Sequence, residues 1–207
     1  MIVAAFDFDG TLTHRDTVVP FLRRAGGTAP LAVRLLVRPH RTGPSLARRD
    51  RDRLKEIVSA HAFARRRVAD VEVVAEAYAR ELVERRLRAD TVDRLRWHAG
   101  EGHRVVIVSA GYDLYLDHVG AALGVDGVVA TRLERDGAFL TGRLDGANCR
   151  GPEKVRRLDA WLRGNGWDRD GVTLFAYGDS TGDRELLAWA DHPHRVAEPL
   201  GSVAPSD

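Results

Sequence analysis

The chain has 207 residues, 44% of them hydrophobic and 30% charged, enough to bury a full core as one large domain or as a core with an insertion. Lys and Arg number 32 against 30 Asp and Glu, and a net charge of +2 excludes the strongly basic surface of a nucleic-acid binder. The single cysteine, Cys149, cannot form an internal disulfide, the N-terminus lacks the basic start of a signal peptide, and no apolar run reaches the roughly 20 residues of a membrane span, so a cytoplasmic protein without stable membrane insertion is expected.

In chain order, residues 2–6 are apolar and too few for a helix, so they read as a buried strand. The strand runs into Asp7-Phe8-Asp9-Gly10-Thr11. In an extended chain alternate side chains share a face, so Asp7 and Asp9 are expected to point the same way. Residues 16–24 read as a short helix with Asp16 as N-cap and Pro20 in the first turn. Residues 29–37 are apolar with one Arg and suit a short helix inside a small helical domain, and Pro39, Gly43 and Pro44 mark a loop. Residues 45–60 and 68–87 are helical in pattern. In the second run Val71, Val74, Ala75, Tyr78, Leu82 and Val83 recur at spacings of three and four. Arg65-Arg66-Arg67, between them, reads as a solvated loop or face.

An alternation of helices and strands follows. A helix is expected over 90–98, a strand over 104–109 ending in the turn Ser109-Ala110-Gly111, a helix over 112–123 and a strand over 125–132. Residues 132–134 and 138–144, joined through Arg135-Asp136-Gly137, suggest a β-hairpin. Gly151-Pro152-Glu153-Lys154 opens a helix to Arg163. Residues 172–177 form a strand ending in Gly178-Asp179-Ser180-Thr181-Gly182-Asp183. A helix over 184–190, an edge strand over 194–197 and a frayed tail complete the chain.

This order predicts a Rossmann-like α/β fold: a doubly wound, mostly parallel sheet with an all-helical insertion over residues 14–87 and a β-hairpin flap. Ligands bind such sheets beyond the carboxyl ends of the strands. Three strands here end at Asp7, Ser109 and Asp179, so these residues should meet at one rim.

Paired carboxylates at the tip of an apolar strand, followed by a glycine and a hydroxyl, suit a divalent cation and a phosphoryl group. Asp-Gly turns and helix caps provide a plainer explanation for the same residues. An EF-hand loop fails on spacing, since Gly10 falls at loop position 4 and Val18 at position 12. Neither a P-loop nor a Gly-x-Gly-x-x-Gly loop is present. Only Lys55 and Lys154 are lysines in a chain that otherwise uses Arg, which raises the question of what a compact ammonium does at each.

Taken together, Asp7-x-Asp9-x-Thr11, Ser109 closing a strand, Lys154, and Gly178-Asp179-x-x-x-Asp183 resemble, in order and spacing, the four motifs of the haloacid dehalogenase superfamily of phosphatases and phosphotransferases. The insertion looks like its type C1 cap, and the detail is similar to the subfamily that holds phosphoserine phosphatase. The resemblance implies a catalytic core of residues 1–13 and 88–207 with a cap of residues 14–87. It also implies Asp7 as nucleophile and Asp9 as the acid that protonates the leaving alcohol and then activates water. Thr11, Ser109, Ala110 and Lys154 would hold the phosphate. Mg²⁺ would sit on Asp7, the Asp9 carbonyl and Asp179, with Asp183 behind them orienting Lys154 or a metal-bound water. The four acids and one lysine leave the site at −3. A divalent cation and a proton on Asp9 bring it to zero, so phosphate should bind poorly without metal.

The expected partner is a small phosphorylated metabolite, not nucleic acid. Asp16 stands where phosphoserine phosphatases carry a Glu that meets the substrate amine, and helix capping explains it equally well. Gly182 stands where those enzymes usually have Asn. An amine-bearing phosphate, such as phosphoserine or histidinol phosphate, leads. A phosphotransferase or mutase on the same fold and a non-enzymatic phosphate-binding protein are the alternatives.

Overall fold

A computed structural model describes residues 1–26 and 47–196, and the side chains of 52–196 within the second stretch. The expected helix over 29–37, the loop at 39–44 and the tail lie outside the described residues. Among the described residues six strands form one sheet: β1 (Ile2–Phe6), β2 (Arg104–Tyr112), β3 (Gly127–Asp136), β4 (Phe139–Asp145), β5 (Thr173–Gly178) and β6 (His192–Arg195). Their order is β4-β3-β2-β1-β5-β6, parallel throughout except for the antiparallel β3–β4 pair. The helices are α1 (Val18–Ala25), α2 (Ala47–Phe63), α3 (Val68–Arg85), α4 (Ala89–Gly100), α5 (Asp113–Leu123), α6 (Pro152–Gly164) and α7 (Arg184–Trp189).

Period-two alternation assigns the sheet residues to two cores. Val3, Ala5, Val106 and Val108 face Leu158, Leu162 and Leu186 of α6 and α7. Ala4, Phe6, Val105 and Ile107 face the other side, where Leu95, Leu116 and Val119 of α4 and α5 join Phe21, Phe63 and Tyr78 of the inserted helices. The insertion therefore shares its apolar core with the sheet. Chain order moves outward from β1 to β3, then returns to β5 on the other flank of β1. That reversal places a crevice at the carboxyl ends of β1, β2 and β5.

Several boundaries differ from expectation. The third strand and the first arm of the hairpin are one continuous strand, β3, so the flap is an extension of the main sheet. The edge strand begins earlier, at His192, in register with Phe175. The arginine triplet is a loop, as expected, but its backbone is paired. The Arg65 N–H donates to the Leu140 carbonyl at 2.9 Å and the Leu140 N–H to the Arg66 carbonyl at 2.8 Å, which joins the insertion to the hairpin.

Behind the crevice, His98 is fully buried against Phe6 and Phe175. Its ring nitrogens lie 2.9 Å from the Tyr177 hydroxyl and 2.8 Å from His103 Nδ1. Burial, with the charges of His103, Arg94 and His194 nearby, pulls its pKa down to about 3. Below its ordinary value near 6.5 the unfolded chain therefore takes up a proton that the folded chain refuses. This contribution is complete above pH 6.5 and is lost as pH falls toward 3. The melting temperature should drop between pH 7 and pH 5, and His98→Gln should flatten that profile; equal slopes for the two proteins would contradict the assignment.

Candidate active site

The first acidic loop does not continue the strand. Past Asp7 the chain coils around the Phe8 carbonyl, which accepts the N–H groups of Thr11, Leu12 and Thr13 at 3.2, 2.9 and 3.0 Å. The expectation that Asp7 and Asp9 point together by strand alternation is therefore corrected. Asp7 faces α6, whereas Asp9 faces the start of α1.

Asp7 is 6% exposed and accepts from Lys154 Nζ at 2.5 Å through one oxygen and from the Thr11 hydroxyl at 3.3 Å through the other. Lys154 sits in the first turn of α6, beyond the left-handed Gly151 and Pro152, and is 2% exposed. It also donates to Asp183 Oδ1 at 2.6 Å, while Asp183 Oδ2 accepts the Ser180 N–H and hydroxyl at 3.0 and 2.7 Å. Burial opposes the Lys154 charge, but the two carboxylates outweigh it and hold the pKa above the ordinary lysine value. Burial also works on Asp183, yet Lys154 and Ser180 pull its carboxyl below the usual range. For Asp7 burial wins over Lys154 and pushes the pKa up to about 7.

Asp9 has a different environment. Its Oδ1 accepts the Thr17 N–H at 2.9 Å and the Thr17 hydroxyl at 2.6 Å. That hydroxyl lies 2.9 Å from the Tyr115 hydroxyl, and Tyr78 donates to the Thr17 carbonyl at 2.8 Å. Burial, reinforced by the nearby Asp16 charge, pushes Asp9 up to about 8 against the Thr17 bonds. With Oδ1 occupied by two donors, the proton belongs on Oδ2. Thr17 and Tyr115 escaped the sequence reading: a hydroxyl beside a helix start reads as a cap, and a tyrosine on an apolar helix reads as core. The helix begins at Val18 with Thr17 as its N-cap, so Asp16 is not the N-cap expected; it stands one residue earlier, its Oδ2 accepting the Val19 N–H at 3.0 Å.

Ser109, Ala110 and Gly111 lie within β2, which runs on to Tyr112, and do not form the turn expected after it. Val108 pairs with Val129 and Tyr112 with Thr131, so Ser109, Ala110 and Gly111 on β2 stand opposite Ala130 alone on β3. Within the bulge Ser109 is buried and its Oγ accepts the Gly111 N–H at 3.0 Å. Lys55 of α2 is buried beside it, donating to the Ala110 carbonyl, to Thr131 Oγ1 at 3.1 Å and to Asn148 Oδ1 at 2.9 Å, with Nζ 4.5 Å from the centre of the Tyr112 ring. Burial pulls its pKa down to about 8.

Carboxylate oxygens of Asp7, Asp179 and Asp183 lie within 4.8 Å of one another. Asp179 Oδ1 is buried without a hydrogen-bond partner, and burial together with the Asp183 charge raises its pKa. An orphaned buried acceptor among all-oxygen donors fits a hard divalent cation. Asp183 has both oxygens held by close donors at 2.6 to 3.0 Å, whereas Asp7 Oδ2 meets only the Thr11 hydroxyl at 3.3 Å and Asp179 Oδ1 meets none, so Asp7 and Asp179 are the freer donors.

A family model for haloacid dehalogenase-like hydrolases matches residues 4–188. The chain belongs to the haloacid dehalogenase-like hydrolase family. It is an enzyme of a hydrolase family, and phosphoserine phosphatases are among the proteins that its sequence and fold resemble. Among curated relatives, Protein CicA of Caulobacter vibrioides is 37% identical over 196 residues, covering 92% of this chain and 83% of that protein. A phosphoserine phosphatase of Archaeoglobus fulgidus is 31% identical over 86 residues, 42% of this chain and 24% of that protein. A substrate-bound phosphoserine phosphatase structure superposes with a TM-score of 0.62 at 18% identity, covering 91% of this chain and 82% of that one. Among the described residues no helix is long and apolar enough to cross a membrane.

Proposed function

We propose that this protein is a Mg²⁺-dependent phosphomonoester hydrolase that acts on a small metabolite phosphate through an aspartyl-phosphate on Asp7. The observation that carries this reading is the contrast between the two acids. Asp7 is clamped by an ammonium, while Asp9 keeps a proton near neutral pH at the end of a fixed hydrogen-bond chain. In the first half-reaction an Asp7 oxygen attacks phosphorus, the bond to the ester oxygen breaks, and that oxygen leaves with the Asp9 proton. In the second, the Asp9 carboxylate takes a proton from water as the water oxygen attacks phosphorus. The bond from phosphorus to Asp7 then breaks and Asp9 is again protonated.

Lys154 gives two protons to Asp7 and Asp183 and keeps a third for a phosphate oxygen, joined by the Thr11 and Ser109 hydroxyls and the Ala110 N–H. Asp183 acts through Lys154. Asp7, the Asp9 carbonyl and Asp179 would hold Mg²⁺, which would supply the positive charge needed to admit a phosphate dianion to this acidic crevice.

Residues 14–87 are read as the cap on a core of residues 1–13 and 88–207. The two crossings lie together, where Thr13 bridges Leu87 and the Arg88 N–H donates to the Leu12 carbonyl at 2.9 Å. A cavity of about 480 Å³ beside Asp16 and Thr17, lined also by Arg15, Arg24, Glu81 and Arg85, suits the polar remainder of a small substrate. An amine-bearing phosphate remains the leading class, with Asp16 reading the ammonium in addition to holding the Val19 N–H at the start of α1. A buried, unpaired Cys149 agrees with a cytoplasmic setting.

The test is phosphate release from p-nitrophenyl phosphate and from a panel of amine-bearing and neutral metabolite phosphates. Release with Mg²⁺ should disappear with chelator, and Asp7→Asn should lower it by at least about 10³-fold. Phosphoryl transfer to added alcohols in preference to water would make the enzyme a phosphotransferase. Folded protein with no release from any ester would overturn the proposal.

A further inference from the structure

The chain has two lysines, and the proposed reaction uses only Lys154. Lys55 is 6% exposed and lies on α2, in the insertion, yet the hydrogen bonds of its ammonium cross to the sheet side. Its acceptors are the Ala110 carbonyl on β2, Thr131 Oγ1 on β3 and Asn148 Oδ1 in the segment before α6. An ammonium has three protons, and these three acceptors take them all, so Lys55 has none left for a substrate. The acceptors are cross-braced in turn. Thr131 Oγ1 lies 3.1 Å from the Ala110 carbonyl and 2.9 Å from Asn148 Oδ1, and it accepts the Cys149 N–H at 3.1 Å. Asn148 Nδ2 donates to Asp52 Oδ1 at 2.7 Å, returning the network to α2.

The Ala110 carbonyl shares one rigid peptide plane with the Gly111 N–H. Anchoring the oxygen therefore fixes the direction of that N–H, which donates to Ser109 Oγ at 3.0 Å. A hydroxyl carries one proton and two lone pairs. With the Gly111 N–H on one lone pair, the Ser109 proton and its second lone pair are left for a partner other than that peptide.

We propose that Lys55 is a positioning residue of the phosphate site: by holding the Ala110–Gly111 peptide, it aims the Ser109 hydroxyl at the phosphate oxygen. This rests on the reading of the crevice as a phosphate site. Because Lys55 rides on α2, the shape of the Ser109 bulge depends on the insertion being seated on the sheet.

A double-mutant cycle tests the assignment. Lys55→Met keeps the apolar stem and removes the ammonium. Thr131→Val removes, from a different element, a hydroxyl shared between the Ala110 carbonyl and Asn148 Oδ1 and covers the case in which Lys55→Met does not fold. In wild type with Mg²⁺, Lys55→Met should lower kcat/KM for p-nitrophenyl phosphate about tenfold and weaken orthovanadate inhibition by a similar factor. On a Ser109→Ala background the same change should cost less than about threefold, because its effect runs through the absent hydroxyl. Thr131→Val should show the same loss of effect on Ser109→Ala. Equal losses on both backgrounds would overturn the proposal and leave Lys55 as packing. Wild type that releases no phosphate would defeat the hydrolase reading separately. The cycle would then be read by calorimetric binding of inorganic phosphate with Mg²⁺, where coupling upholds the placement of Lys55, and additive effects or no binding overturn it.

Discussion

Asp9→Asn is expected to lower kcat by about 10³-fold and, in chelator at pH 8, to raise the melting temperature by roughly 3–6 °C. The two effects share one cause. Asn keeps an oxygen for the Thr17 N–H and hydroxyl, so the hydrogen bonds at 2.9 and 2.6 Å survive, but it has no proton to give. The stability gain follows from the pKa of about 8, raised by burial and by Asp16 above the ordinary 3.8. Between those values the folded chain binds a proton that the unfolded chain has released. Stability therefore declines as pH rises through that window, and the full penalty is present above pH 8. The advantage of the variant should be small near pH 4 and largest at pH 8. A variant less stable than wild type at both pH values would show that the Asp9 carboxyl is not strained by burial. Retention of full activity would remove it from the reaction. Chelator matters, because a cation in the crevice would offset part of the penalty in wild type.

The sequence made the rim of the site visible because its parts are local. Apolar runs that stop at Asp7, Ser109 and Asp179 can be read as strands, although β2 itself runs on to Tyr112, and a doubly wound sheet brings neighbouring strand ends together whatever lies between them. What escaped were relations that tertiary structure creates. Thr17 looks like any hydroxyl before a helix, and only the coil of residues 8–13 around the Phe8 carbonyl brings it under Asp9. The bulge at Ser109 needs two strands to define it, since it is a mismatch of register between β2 and β3. Lys55 stood out by its rarity alone. Its acceptors lie 55, 76 and 93 residues away, beyond the reach of any local pattern. The merged β3 strand was split because Arg132 and Glu134 look polar, yet a strand that leaves the covered part of a sheet is free to become so.

Gly10→Ala is expected to reduce Mg²⁺-dependent turnover by more than about 10³-fold, an effect comparable to removing an acid from the crevice. Gly10 has φ of +85°, a region L-residues with side chains avoid. A Cβ at this position would lie 2.2 Å from Asp179 Oδ2 and 2.6 Å from its Cγ. Loop and carboxylate cannot both stay. The loop is the less free to move, since Arg88 Nη1 donates to the Gly10 carbonyl at 3.2 Å while Arg88 is itself paired with Asp90 at 2.8 Å. Asp179 has an orphaned Oδ1 and is the more readily displaced. Its displacement removes one of the two carboxylates best placed for the cation and leaves the Asp7–Lys154–Asp183 clamp intact. The predicted signature is therefore a selective loss. Mg²⁺ affinity by calorimetry should fall by at least about tenfold, and raising Mg²⁺ should recover part of the turnover. Collapse of the whole site would give a loss that added metal does not touch. Unchanged metal affinity would show that Asp179 is not a ligand.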